Sequence, residues 1–184
     1  MTSYEVAHHI LQEVDEVLQR VQEKQVAHFR EAIRKTRRIF LFGAGREGLV
    51  MRSFAMRLMH LGLDVGVVGD MTTGPITSHD LFIVSTGPGT LETAGTLIAR
   101  AHRAGGRVAV ITAQPTAELP QEADLLLVIP GQTMAEGTAS TSTQPMGSVF
   151  EQAMWILFDA LVVQLKDDLG ETYESMTARH TNLE

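Results

Sequence analysis

Five short apolar runs, spaced so that helical patterns fall between them, constrain this chain more than any other feature. The runs at 39–42, 65–68, 81–84, 108–111 and 125–129 carry no charge and are rich in Leu or β-branched residues. A strand with one wet face alternates polar and apolar residues, whereas a strand covered on both faces is apolar throughout. These runs are of the second kind. Helical segments are predicted at 46–61, stopped by Gly62, and at 90–104, stopped by Gly105 and Gly106. Such alternation predicts right-handed βαβ crossovers and an α/β fold whose parallel sheet is covered by helices. Sheets of this type bind ligands beyond the carboxyl ends of their strands, near the point where the strand order reverses. The loops after the first and third strands are therefore the places to look for function.

The flanking segments add detail. Ile10, Val14, Val17, Leu18 and Val21 fall at helical spacing, and Thr2 with Glu5 offers a capping box, so one long helix is predicted over 3–35. Residues 131–147 read as a Gly/Thr/Ser-rich flexible loop, of the length that serves as a lid, a binding loop or a disordered insert. The segment 148–166 is apolar nearly all round, with Val149, Phe150, Met154, Trp155, Ile156, Leu157 and Phe158 in succession. A core covers one helix face more readily than two, so the segment predicts a subunit interface and a homo-oligomer, dimer or tetramer. A helix sandwiched within one subunit is the alternative.

Length and composition set outer limits. A chain of 184 residues suits a single domain over 1–184. Its net charge of −7 argues against a nucleic-acid partner or an anionic membrane surface, which require a basic face. The absence of cysteine removes disulfides and thiolate chemistry. No uninterrupted apolar run reaches the roughly 18 residues of a membrane span, and the first residues lack a basic and an apolar signal region. A cytoplasmic location is expected.

The first strand ends in Gly43-Ala44-Gly45-Arg46-Glu47-Gly48. Glycines at a strand-to-helix turn place backbone N–H groups around an anion, and the pattern fits a dinucleotide or a sugar phosphate, or a tight turn that binds nothing. The third strand ends in Ser85-Thr86-Gly87-Pro88-Gly89-Thr90. Its hydroxyls and amides form a second candidate cradle, although Thr90 is equally explained as a helix N-cap. Two such loops at one crevice, with no room for a second domain, favour a compact phosphorylated metabolite. Glu151 has two explanations. Ser148-x-x-Glu151 is a capping box, and a carboxylate at a helix N-terminus is also held ionised, ready to remove a proton α to a carbonyl. The seven histidines show no metal-ligand spacing, and no metal or cofactor is expected.

Taken with Phe54-Ala55-Met56-Arg57-Leu58-Met59-His60-Leu61-Gly62, Gln144-Pro145-Met146-Gly147-Ser148-Val149-Phe150-Glu151-Gln152 and the terminal His180-Thr181-Asn182-Leu183-Glu184, the first loop gives the chain a clear likeness. It resembles the SIS (sugar isomerase) domain family, most of all its 6-phospho-3-hexuloisomerase branch, and the likeness spans essentially the whole chain. The resemblance implies a three-layer α/β/α fold with a five-stranded, flavodoxin-like parallel sheet, assembled as a tetramer. It further implies isomerisation of 3-hexulose 6-phosphate to fructose 6-phosphate through a cis-enediol, without metal or organic cofactor. Glu151 matches the family's base, and His180 matches a tail histidine that completes a neighbouring subunit's site. Gly45, Arg46, Glu47, Ser85, Thr86, Gly87, Gly89 and Thr90 fall in the substrate-binding loops. Two departures stand out: Glu47 replaces the family's serine in the first loop, and the second loop reads Ser-Thr-Gly-Pro-Gly-Thr where the family has Ser-x-Ser-Gly-x-Thr. These leave open an isomerase of another anionic sugar, a sulfonated one among them. A non-catalytic sugar-phosphate sensor is a further alternative, weakened by the absence of a helix-turn-helix segment, and a dinucleotide-dependent oxidoreductase lacks the substrate domain it would need.

Overall fold

The five apolar runs form five parallel strands: β1 (Ile39–Phe42), β2 (Val65–Val67), β3 (Leu81–Ser85), β4 (Arg107–Thr112) and β5 (Leu125–Val128). The computed structural model describes residues 1–134 and 142–183. Their order across the sheet, β2-β1-β3-β4-β5, places the reversal between β1 and β3. Register is fixed by alternation. Ile39, Leu41, Leu81, Ile83, Ala109 and Ile111 belong to one core, while Phe40, Phe82, Val84, Val108 and Val110 belong to another on the opposite face.

The larger core is covered by α1 (Ser3–Leu18), α2 (Glu23–Lys35), α3 (Gly45–His60) and α6 (Ser148–Asp168), the smaller by α4 (Glu92–Arg103) and the short α5 (Glu118–Gln121). A last short helix, α7 (Tyr173–Ala178), packs on α3. The three-layer α/β/α architecture is the expected one.

Three details differ from the sequence expectation. The predicted helix over 3–35 is two helices, broken at 19–22, where the Arg20 and Val21 amides close a turn on the Val17 and Leu18 carbonyls. At about 100° per residue, the apolar stripe over 14–21 and that over 26–33 point roughly 100° apart, so one straight helix could not bury both. Separating them lets α1 lie along α6 while α2 reaches β5, where Gln25 accepts from the Val128 amide. Secondly, α4 begins at Glu92, with Leu91 and not Thr90 at its N-cap. Thirdly, part of the 131–147 loop is ordered: 142–147 is docked on α1, and residues 135–141 lie outside the described residues.

Among the described residues, α6 alone is long and apolar enough to cross a membrane, yet half of that stretch is buried against the rest of the fold, as in a core helix. Phe158 stacks on Phe54 of α3 with ring centroids 4.0 Å apart. Its apolar surface is split. Phe150, Met154, Phe158 and Leu161 face inward, while Trp155, Ile156 and Val163 are left exposed, the first two lining a groove with Leu49 of α3.

Candidate active site

Beyond the carboxyl end of β1 the chain turns sharply into α3. A Cβ at Gly48 would sit 2.6 Å from the Gly43 carbonyl oxygen, so only glycine permits this closure. The turn delivers Arg46 and Glu47 in the first turn of α3, and they point to different places. Arg46 Nε lies 2.8 Å from a Glu151 carboxylate oxygen at the start of α6. Glu47 turns inward to the β3–α4 loop, accepting hydrogen bonds from the Ser85 hydroxyl and, at 3.1 Å, from the Gly87 amide.

The start of α6 is built from both sides. Met146 and Gly147 both adopt positive φ, and a Cβ on Gly147 would approach the Thr133 and Met134 backbone to 3.1 Å. Gly147 thus takes the N-cap position, and the capping box predicted for Ser148 and Glu151 does not form. The Ser148 hydroxyl donates instead to the Pro145 carbonyl, which leaves Glu151 to Arg46. On the other side Glu13 of α1 clamps the loop: it accepts from the Ser142 and Thr143 hydroxyls, the Thr143 amide and the Gln144 side-chain amide. These donors hold its carboxyl at about 2 against burial, the largest single influence, which pushes the other way.

The electrostatics of the two facing carboxyls are unlike that of Glu13. Burial pushes Glu151 up from its ordinary value, and Arg46 opposes the shift. Burial also pushes Glu47 up; the Ser85 and Gly87 donors oppose this, and the charge of Glu151 adds to it. A base near neutrality is what proton transfer requires. Two buried side-chain oxygens, Thr86 Oγ1 and Gln152 Oε1, have no hydrogen-bond partner among the described residues, so polar capacity remains at the β3–α4 loop and at the start of α6. An open groove beside Glu151 is lined by Arg46, Leu49, Gln152 and Trp155.

Arg46, Glu47, Ser85, Gly87 and Glu151 therefore come together. Others do not join them. The Gly89 amide is spent on the Thr86 carbonyl. Thr90 is exposed and borders a separate depression with Glu92 and Glu118. The His180 ring stacks on His60, 5.3 Å between centroids, at the opposite end of α3 from Arg46. Burial, with Arg57 and His180 adding to it, lowers the His60 pKa. Among the described residues no three of His, Asp and Glu are grouped as a metal site would be. Sequence reasoning missed Glu13, whose only local signature is a place on the polar side of an amphipathic helix.

The SIS domain model matches residues 32–156, which includes both loops, Arg46 and Glu151. The chain belongs to the SIS domain family. Among its relatives, 3-hexulose-6-phosphate isomerase of Bacillus subtilis (strain 168) is 35% identical, with all of both chains covered. The enzyme of the same name from Mycobacterium gastri is 38% identical over 94% of this chain and 86% of its own. A Methanococcus jannaschii protein, whose crystal structure infers a molecular function of 3-hexulose-6-phosphate isomerase, superposes with a TM-score of 0.85 at 27% identity, covering 98% of this chain and 99% of that one. The SIS fold and its switch-point crevice thus belong to the chain as a whole.

Proposed function

We propose that this protein is a 3-hexulose-6-phosphate isomerase, producing fructose 6-phosphate, and that Glu151 is its base. The observation that carries the reading is the placement of Glu151: a largely buried carboxylate at a helix start, paired to one arginine, on the rim of the switch-point crevice. The two curated relatives of that name, similar over nearly their whole length, support the substrate.

The reaction moves a ketone from C3 to C2. Glu151 removes the proton from C2, the electron pair of that C–H bond forms the C2=C3 double bond of an enediolate, and the C3 oxygen takes the negative charge. Transfer of a proton from the C2 hydroxyl to the C3 oxygen, followed by return of the Glu151 proton to C3, completes a redox-neutral isomerisation. A single carboxylate facing both carbons suffices for the carbon-bound proton. Arg46 stabilises charge beside it. His180, supplied by a neighbouring copy of the chain, exchanges protons with the oxygens. The exposed Trp155 and Ile156 beside Leu49 support a homo-oligomer, a tetramer by family likeness, built on α6 and α3. Residues 1–184 act as one SIS unit in the cytoplasm, with no nucleic-acid, membrane, metal or cofactor partner.

The test is turnover of 3-hexulose 6-phosphate, generated from formaldehyde and ribulose 5-phosphate, with fructose 6-phosphate read by a coupled assay. Rapid conversion by the natural chain and its loss in Glu151→Gln is the expected result. A folded protein that leaves the substrate untouched overturns the assignment.

A further inference from the structure

We propose that Glu47 is a specificity-determining residue: its carboxyl group is a built-in acceptor seated in the β3–α4 loop, and any anionic substrate competes with it for the Ser85 hydroxyl and the Gly87 amide. The inference rests on the proposed isomerase reading for the identity of the substrate, but its geometry is independent of which sugar is bound.

Glu47 takes both donors at once. The Ser85 hydroxyl donates to Glu47, with Met154 Sδ at 3.4 Å as its other acceptor, and the Gly87 amide lies 3.1 Å from both carboxylate oxygens. The fit is close on all sides. A Cβ on Gly87 would meet a Glu47 carboxylate oxygen at 3.0 Å and the Phe150 ring at 3.1 Å, so the loop has no spare room beside the carboxylate. A phosphate needs the same donor types that a carboxylate does. It also needs a cation, and in this crevice Arg46 is engaged by Glu151. With Glu47 in place, an incoming dianion meets two carboxylates, one arginine, and a loop whose donors are already filled. It must expel Glu47 or bind at the loop's margin, and either route weakens the grip.

The probe is inorganic phosphate, titrated by calorimetry at one neutral pH into the natural chain, Glu47→Gln and Glu47→Ser, with thermal unfolding confirming that each variant is folded. Removing the carboxylate frees two donors and one negative charge, and phosphate affinity is expected to rise at least roughly tenfold in Glu47→Ser. Glu47→Gln, nearly isosteric, is expected to gain less and carries the comparison alone if the serine variant does not fold. Unchanged or weaker phosphate binding in every folded variant overturns the proposal. A substrate misassignment would show instead as absent turnover by the natural chain while the phosphate affinities still differ.

Discussion

Arg46 Nε sits 2.8 Å from a Glu151 carboxylate oxygen, so the cation of the first loop and the proposed base of α6 form one unit although they come from different elements. Burial raises Glu151 and Arg46 pulls it back. Replacing Arg46 with Met leaves burial unopposed. Because the base works deprotonated, the acid limb of the kcat profile is expected to move to higher pH, and KM to rise as a substrate-facing cation is lost. An acid limb that stays where it was would remove Arg46 from control of the base.

Glu151→Gln keeps shape and loses basicity. Its kcat is expected to fall by roughly 10²–10⁴-fold with unfolding temperature little changed, since general-base removal acts on the transition state. A variant within a factor of about two of the natural rate would exclude Glu151 as the base.

Glu13 makes acid the sensitive direction for the docked loop. Its carboxyl falls from 4.5 to about 2 on folding, so the stability it contributes is fully present above 4.5 and is lost as pH falls through about 2. Glu13→Ala is expected to cost about 1–3 kcal/mol at neutral pH by removing the acceptor of the Gln144 side-chain amide and of the Thr143 amide and hydroxyl. It should also flatten the acid arm of the stability curve, measured by urea unfolding at several pH values. A variant whose acid arm matches that of the natural chain would show that the clamp contributes nothing.

Glu151 pairs with Arg46 at the start of α3 and His180 stacks on His60 at its end, and those two α3 positions are about 20 Å apart along a helix rising about 1.5 Å per residue. If the tail of one copy serves the site of another, Glu151→Gln and His180→Ala are each defective alone, yet subunits mixed after partial denaturation and refolding regain activity. Mixed assemblies would contain sites with both natural residues. A mixture no more active than its components would place His180 outside the chemistry.

Phe158 is buried and stacked on Phe54. Phe158→Ala removes that ring from the α3–α6 contact and is expected to cost about 3–5 kcal/mol, read from the urea midpoint at unchanged slope.

The sheet was legible because strands buried on both faces have an unmistakable composition, and each of the five runs became a strand. The two loops at the switch point followed from that order alone, and Arg46, Ser85 and Gly87 were reached by asking what lies at strand ends; Glu151 was reached from its place at a helix start and from the family likeness. What stayed hidden depends on approaches between distant segments. Glu47 turns to Ser85 across 38 positions, and Glu13 reaches Ser142 across 129; no local pattern encodes either. The capping box at Ser148 was a sound local inference overruled by Gly147, which takes the N-cap in a left-handed conformation and packs so near the Thr133 backbone that a side chain there would crowd it. The break at 19–22 was visible in principle as a rotation of the apolar stripe.

The stacking of His180 on His60 gives the tail a resting place on its own subunit. A tail that leaves it to serve a neighbour ties catalysis to mass action: specific activity then depends on protein concentration, declining on dilution as assemblies come apart while every chain stays folded. The enzyme's working range would be set in part by how much of it the cell makes.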